Sequence, residues 1–192
     1  MRKYVKYIII FGLLVLLIVG LCWPQNDDNT KVLIDVNNYG KITISLDSDN
    51  APITVKNFLS LVQNKFYDNL TFHRIIEEFM IQGGDPNKDG TGGSLNKIKG
   101  EFSENGVNNT ISHKRGVISM ARSSDNDSAS SQFFIMQKDN TYLDGKYAAF
   151  GHVISGMEVV DKIVDNVSKY GDDNGIIPVQ YQPVIKSIKV IK

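Results

Sequence analysis

Apolar and polar residues alternate in two short segments early in the chain, KVLIDV and KITISL, which the turn-forming residues NNYG separate. Alternation with β-branched residues is typical of strands with one buried face, so the pair predicts a β-hairpin. The pattern then changes to helical spacing in NAPITVKNFLSLVQNKFY, where apolar residues recur at positions 55, 58, 59, 62 and 66. Asn50 and Pro52 give this helix a suitable start.

The same criteria predict six further strands and a second helix. The strand candidates are residues 71–76, 79–83, 116–121, 132–136, 148–153 and 184–191, and the helix candidate is residues 157–164. Long connections rich in Gly, Asn, Asp and Ser lie between them. Many strands, two helices and long loops indicate a mainly β fold, in which a mostly antiparallel closed sheet is capped by the helices.

The N-terminus differs from the rest, because a basic start leads into an apolar run over residues 7–23. A membrane-spanning helix needs about 20 apolar residues, with a range near 17–25. We therefore expect a signal-anchor segment at residues 1–23 that forms an apolar helix. A polar linker at 24–30 and a main domain at 31–192 would follow.

Charge gives the expected topology. Basic residues precede the apolar run, and Asp27 and Asp28 follow it. This asymmetry places the N-terminus inside and the main domain on the extracytoplasmic side of the cell membrane.

Two alternatives to an uncleaved anchor stay open, and both also export the domain. VGLC resembles the lipid-attachment signal of bacterial lipoproteins, although Leu21 stands where that motif prefers a small residue. Lipidation of Cys22 therefore ranks second. A cleaved signal peptide ranks third, because no small-x-small cleavage site ends the apolar run.

Composition excludes several kinds of chemistry. Cys22 is the only cysteine, so the main domain holds no disulfide, thiolate nucleophile or cysteine-ligated metal. Apart from the three basic residues among the first six positions, 18 basic residues stand against 21 acidic ones. This balance gives no reason to expect a nucleic acid partner. We found no sign of oligomerisation and expect a monomer.

Three predicted strands carry polar residues among apolar ones. Alternate side chains of a strand share a face. This alternation places a group of side chains on one side of the sheet: Phe72, Arg74, Ile76, Met80, Gln82, Gln132 and Phe134. That side would have an apolar base with hydrogen-bonding groups above it. His73 would lie behind Arg74, which argues against His73 as a general base.

Four motifs carry a resemblance to a known family. FHRIIEEFMIQGGD, GTGG, GVISMARSSDNDSASSQFFI and YLDGKYAAFGHVISGMEVVDKI together resemble the cyclophilin family of peptidyl-prolyl cis-trans isomerases. SMARS…SQFFI is most similar to its bacterial members. The resemblance runs in order through residues 31–192. It implies an eight-stranded antiparallel barrel closed by two helices, with the site on the outer surface.

The resemblance also implies roles for single residues. Arg74 matches the catalytic arginine, and Gln82 and Gln132 match the polar groups beside the substrate proline. We assign catalytic roles to Arg74, Gln82 and Phe134. Further matches are expected to bind substrate: Phe79, Met80, Ala121, Arg122, Gln132, Leu143, Tyr142 and Tyr147. Tyr142 and Tyr147 stand where many eukaryotic members have tryptophan and histidine.

The implied activity is rotation about X-Pro bonds in exported polypeptides. Such rotation breaks no bond to carbon, so we expect non-covalent stabilisation of the transition state without cofactor or metal. The alternative is a non-catalytic module or chaperone that holds proline-containing peptides in the same groove.

An ion-binding structural protein is a third and weaker reading. DPNKDG matches the first half of a calcium loop, but Asn96 stands at the twelfth position in place of glutamate.

Overall fold

The computed structural model describes residues 30–191, so the expected helix at 1–23, most of the linker and Cys22 lie outside the described residues. The strands are β1 (Lys31–Val36), β2 (Gly40–Leu46), β3 (Phe72–Ile76), β4 (Met80–Gly83), β5 (Val117–Met120), β6 (Phe133–Met136), β7 (Ala149–Ser155) and β8 (Ile185–Ile191). The helices are α1 (Pro52–Gln63) and α2 (Met157–Val167). Within this described part, no helix is long and apolar enough to cross a membrane.

All eight strands belong to one antiparallel sheet in the order β3-β4-β6-β5-β7-β2-β1-β8. The predicted mainly β fold with two helices is confirmed. The expected closed barrel is wrong, because the edge strands β3 and β8 form no continuous ladder. Their flanking residues Thr71 and Val184 form one isolated bridge. The sheet is therefore a curled half-barrel.

The segment just before β8 explains why the barrel stays open. The Ile75 backbone N–H donates to the Gly175 carbonyl, and the Ile177 N–H donates to the His73 carbonyl, each at 2.8 Å. These bonds use edge groups of β3 that a ladder with β8 would need. Residues 175–177 thus occupy the position of a closing strand.

The helices differ from the prediction in the end and the cap of α1, and in the end of α2, which runs to Val167 instead of residue 164. α1 ends at Gln63, because Lys65 adopts a left-handed conformation with φ 56°. Phe66, which fitted the helical spacing, packs against the core from the turn that follows. Asn50 does not cap α1, since its amide donates to the Asp47 carboxylate.

The main core lies inside the curl of the sheet and contains six buried aromatic rings: Phe58, Tyr67, Phe72, Phe102, Phe133 and Phe150. Their contacting pairs have centroids between 5.1 Å, for Phe58 and Tyr67, and 6.1 Å, for Phe72 and Phe133. A second apolar cluster covers the outer face of β4, β5 and β6. Its buried members are Met80, Val117, Phe134, Met136, Leu143 and Ala149. These strands are therefore buried on both faces.

A distant glutamate caps α1. The helix has no capping side chain at its own N-terminus. Instead the Glu101 carboxylate, which is 2% exposed, accepts hydrogen bonds from the backbone N–H groups of Ile53 at 3.0 Å and Thr54 at 2.7 Å. The Thr54 hydroxyl donates a third bond at 2.7 Å. Glu101 therefore fixes the long β4–β5 connection to the start of α1, where a negative charge is also favoured by the helix dipole.

We predict that Glu101→Ala lowers the free energy of unfolding by about 2 kcal/mol, because buried donors lose a charged acceptor. Glu104→Ala, which removes an exposed carboxylate three residues away, should change it by less than about 0.5 kcal/mol. Denaturant unfolding of both variants is the measurement. Equal losses in the two variants would contradict the capping role.

Candidate active site

A β-bulge in β3 decides which side chains face outward. Phe72 pairs with Gly83 and Arg74 pairs with Gln82, so His73 is an extra residue on one strand. Phe72 consequently packs in the main core, and its expected grouping with Arg74 is wrong. His73 borders the same outer cavity as Arg74, so its predicted position behind Arg74 is also wrong.

The outer cavity has a volume of about 460 Å³ and an apolar floor. Nine residues that the sequence assigned to the site line it: Arg74, Phe79, Met80, Gln82, Ala121, Arg122, Phe134, Leu143 and Tyr147. The floor is well packed, since Met80 is 1% exposed and Phe134 is 5% exposed. The predicted common face of Met80 and Gln82, with Ile81 behind in the main core, is confirmed.

Two predicted residues lie elsewhere. Gln132 lines an adjoining cavity and contacts Gln82. Tyr142 lines neither cavity; its side chain is 77% exposed, and the Lys146 ammonium lies 3.5 Å from the centre of its ring. The substrate-binding role of Tyr142 stays a prediction.

A chain of hydrogen bonds runs along the polar wall. Arg74 Nη1 donates to Gln82 Oε1 at 3.2 Å, and Gln82 Nε2 donates to Gln132 Oε1 at 2.8 Å. Gln132 Nε2 then donates to the carbonyls of Gly90 at 3.0 Å and Gly92 at 2.7 Å. Because a guanidinium has donors only, Arg74 fixes the orientation of both amides in this chain.

A second anchor holds Arg74 from the other side. Its Nε donates to the Asn174 carbonyl at 2.8 Å. Within residues 30–191 the Nη2 hydrogens have no partner, so they are free to meet a ligand in the cavity. Burial lowers the pKa of the Arg74 guanidinium, while Tyr147 and Asp172 act in the opposite direction. An arginine stays protonated in proteins, so the cavity holds a fixed cation.

A buried polar chain supports the floor from below. His113 Nδ1 contacts the Asp144 carboxylate at 2.9 Å, and His113 Nε2 contacts the Ser119 hydroxyl at 3.0 Å. The imidazole also stacks on the Phe134 ring, with centroids 6.0 Å apart and planes at 20°. This series of Ser, His and Asp is not nucleophilic machinery, because Ser119 and His113 are both fully buried. These three residues instead hold the His113 ring in place behind Phe134.

Sequence patterns gave no signal for two of these contacts. The Asn174 carbonyl reaches Arg74 across 100 positions of sequence. Asp144, the partner of His113, lies 31 positions away in sequence. Both contacts depend on the tertiary fold and carry no local periodicity.

Asp85, the first aspartate of the calcium-like loop DPNKDG, forms hydrogen bonds within the loop itself. The Asp85 carboxylate accepts backbone N–H bonds from Asn87 at 2.8 Å, Asp89 at 3.1 Å and Gly90 at 2.6 Å. Asp85 thereby shapes the loop that supplies the Gly90 carbonyl to Gln132. In the part of the chain that the structure describes, no three His, Cys, Asp or Glu side chains are grouped to hold a metal.

Comparison with known proteins places this geometry in a family. The family model for cyclophilin-type peptidyl-prolyl cis-trans isomerases matches residues 31–190. The chain belongs to the cyclophilin family. The predicted enzyme class, a peptidyl-prolyl cis-trans isomerase, is thereby confirmed.

Two bacterial peptidyl-prolyl cis-trans isomerases are similar to this chain in sequence. A peptidyl-prolyl cis-trans isomerase A of Dickeya dadantii is 42% identical over 85% of this chain and 86% of its own length. A peptidyl-prolyl cis-trans isomerase of Acinetobacter baylyi is 46% identical over 85% of this chain and 89% of its own.

A solved cyclophilin has the same fold. The crystal structure of a Cryptosporidium parvum cyclophilin, in the presence of the dipeptide Ala-Pro, matches with a TM-score of 0.73 and 32% identity. The match covers 84% of this chain and 99% of that one. The resemblance in fold therefore extends over the whole of that domain.

Two buried histidines predict a pH dependence of stability. Burial lowers the pKa of His73 and of His113, against the opposing effects of Asp85 and Asp144 respectively. The unfolded chain takes up protons near pH 6.5 while the native state does not. The free energy of unfolding should therefore fall as pH drops below about 6.5, by up to roughly 1.4 kcal/mol per pH unit for each histidine.

The free energy of unfolding would be measured by denaturant titration between about pH 7.5 and about pH 5. This window of about 2.5 pH units brackets the reference pKa of histidine. His113→Asn should reduce the slope, because it removes one of the two buried imidazoles whose pKa is lowered. A wild-type slope of zero over this window would show that the buried rings do not resist protonation.

Proposed function

We propose that this cyclophilin accelerates rotation about X-Pro bonds of exported polypeptides by binding the proline over Phe134 and donating a hydrogen bond from Arg74. The observation that supports this most directly is the fixed guanidinium with free N–H groups beside an apolar floor. The Ala-Pro dipeptide present with the Cryptosporidium relative supports a proline-containing ligand.

The physical problem is the stiffness of the amide bond. Resonance gives an ordinary peptide bond a rotational barrier of about 18–20 kcal/mol, and X-Pro isomerisation takes tens to hundreds of seconds. Rotation destroys that resonance and leaves a lone pair on the prolyl nitrogen. A donor beside this nitrogen bonds the twisted state more strongly than the planar one, which is differential binding of the transition state.

The size of the contribution from Arg74 is limited. A hydrogen bond to a charged group contributes about 1.5–3 kcal/mol, and each 1.36 kcal/mol is tenfold in rate. Arg74 would therefore supply about one to two decades. The apolar floor, formed by Phe79, Met80, Phe134 and Leu143, and the anchoring of flanking peptide would supply the rest.

We predict that Arg74→Ala lowers kcat/KM by tenfold or more while the domain stays folded. Arg74 faces the cavity, so its removal leaves no void in the main core. Arg74→Lys should restore little, because an ammonium lacks the planar, multi-donor fork. Isomerisation of a proline peptide, peptide affinity and thermal unfolding would be measured on each variant.

Two further variants separate the roles. Arg115→Ala removes an arginine that binds Asp161 outside both cavities, and it should keep the wild-type rate. Phe134→Ala should weaken peptide affinity by removing the floor. A folded Arg74→Ala variant with the wild-type rate would refute the mechanism. If the wild-type protein binds the peptide but does not isomerise it, the result would favour the non-catalytic peptide-binding module.

We also propose that the isomerase works outside the cytoplasm as a monomeric domain tethered to the cell membrane. The support comes from sequence, namely the basic start, the apolar run at residues 7–23 and the acidic residues after it. An uncleaved anchor remains preferred to lipidation at Cys22.

Protease added to cells whose outer barriers are permeabilised, with the cytoplasmic membrane intact, should remove the domain at residues 31–192. A cytoplasmic protein serves as the matched control and should survive. Protection of the domain until the cytoplasmic membrane is lysed would contradict this topology. If the chain incorporates labelled palmitate and Cys22→Ala abolishes this incorporation, the result would favour the lipoprotein alternative over the uncleaved anchor.

A further inference from the structure

A second cavity of about 370 Å³ adjoins the proline cavity. The two share a wall made of Gln82, Gly90, Thr91, Ala121 and Arg122. Unlike its neighbour, the second cavity has no aromatic floor. Its remaining lining is polar and includes the side chains of Ser94, Lys97, Ser123, Ser128, Ser130 and Gln132.

The charge of this lining has one sign. Lys97 and Arg122 border the cavity, and no carboxylate lines it. Neither cation forms a salt bridge with an acidic residue within residues 30–191. Asp89, the acidic residue of the neighbouring cavity, already accepts hydrogen bonds from the Thr91 N–H at 2.9 Å and hydroxyl at 2.6 Å.

Arg122 is held rigidly in the shared wall. Its guanidinium carbon lies 5.0 Å from the centre of the Phe102 ring and 4.9 Å from that of Tyr147. Its Nε donates to the Lys146 carbonyl and its Nη1 to the Ser123 carbonyl, both at 2.9 Å. Rings and carbonyls orient the cation without neutralising it, and its Nη2 hydrogens have no partner within the described chain.

The spacing of the cavities suits one extended peptide. Side chains two positions apart in an extended chain project to the same side, about 6.6 Å apart. When a proline occupies the first cavity, the side chain two residues away can therefore enter the second. A carboxylate there would meet Lys97, Arg122 and several hydroxyl groups.

We propose that the second cavity gives this cyclophilin a preference for substrates with an acidic side chain two residues from the proline. Lys97 and Arg122 are the determinants of this preference. The proposal rests on the proposed function, because the peptide must first place its proline over Phe134.

The test uses matched peptides that carry Glu, Gln or Lys two residues before the proline, and a second set with the change two residues after it. In one of the two sets, kcat/KM for the Glu peptide should exceed that for the Gln peptide by about three- to tenfold, and the Lys peptide should be poorest. The Glu preference should shrink as salt is raised, because Lys97 is exposed.

Lys97→Ala is the decisive variant, since it should reduce the Glu/Gln ratio while keeping the rate on the Gln peptide. Lys99→Ala, which removes an exposed lysine outside both cavities, is the control and should keep the ratio. Arg122→Gln should also reduce the Glu/Gln ratio. Its absolute rates carry no weight in this test, because Arg122 also borders the proline cavity.

The outcomes separate this proposal from the function on which it rests. Equal rates for Glu and Gln peptides in both sets would refute the acidic preference and leave the isomerase mechanism intact. An unchanged ratio in Lys97→Ala and Arg122→Gln would refute these determinants. Absence of turnover on every peptide would instead count against the proposed function.

Discussion

The polarity of one guanidinium organises the active site. Arg74 can only donate, so the Gln82 oxygen must face it, and each later group in the chain is then oriented in turn. The chain ends on backbone carbonyls of the β4–β5 connection, at Gly90 and Gly92. A cation, two amides and a loop thus share a single hydrogen-bonding pattern, and reversing either amide would leave donors facing donors.

The apolar half of the site depends on a sheet that is buried on both faces. In β6, Phe133 and Ile135 complete the main core, while Phe134 and Met136 form the outer cluster. The floor therefore cannot shift without disturbing packing on its other side. His113 adds a flat, hydrogen-bonded ring behind Phe134. The site therefore combines a rigid apolar floor with a polar wall. The rim of that wall is formed by the β4–β5 connection at Gly90 and Gly92.

Much of this arrangement follows from local pattern. Alternation in QFFIM and FMIQG correctly separated the core side chains from those of the cavity, and the family motifs identified nine of the residues that line it. Alternation failed at His73, because a bulge depends on how two strands pair and not on the residues of one strand. The closing role of residues 175–177 and the exposed position of Tyr142 likewise depend on long-range packing.

The capping of α1 by Glu101 links parts of the domain that are distant in sequence. The carboxylate and its N–H partners are separated by 47 and 48 positions, so the first turn of α1 gains its acceptor only after the long connection has docked. Closing a loop of this length costs chain entropy, so non-local contacts of this kind slow folding. The same link makes the helix start and the connection one cooperative unit in the native state. Amide hydrogen exchange at the first turn of α1 would therefore report how often the connection that supplies the groove rim detaches from the body of the protein.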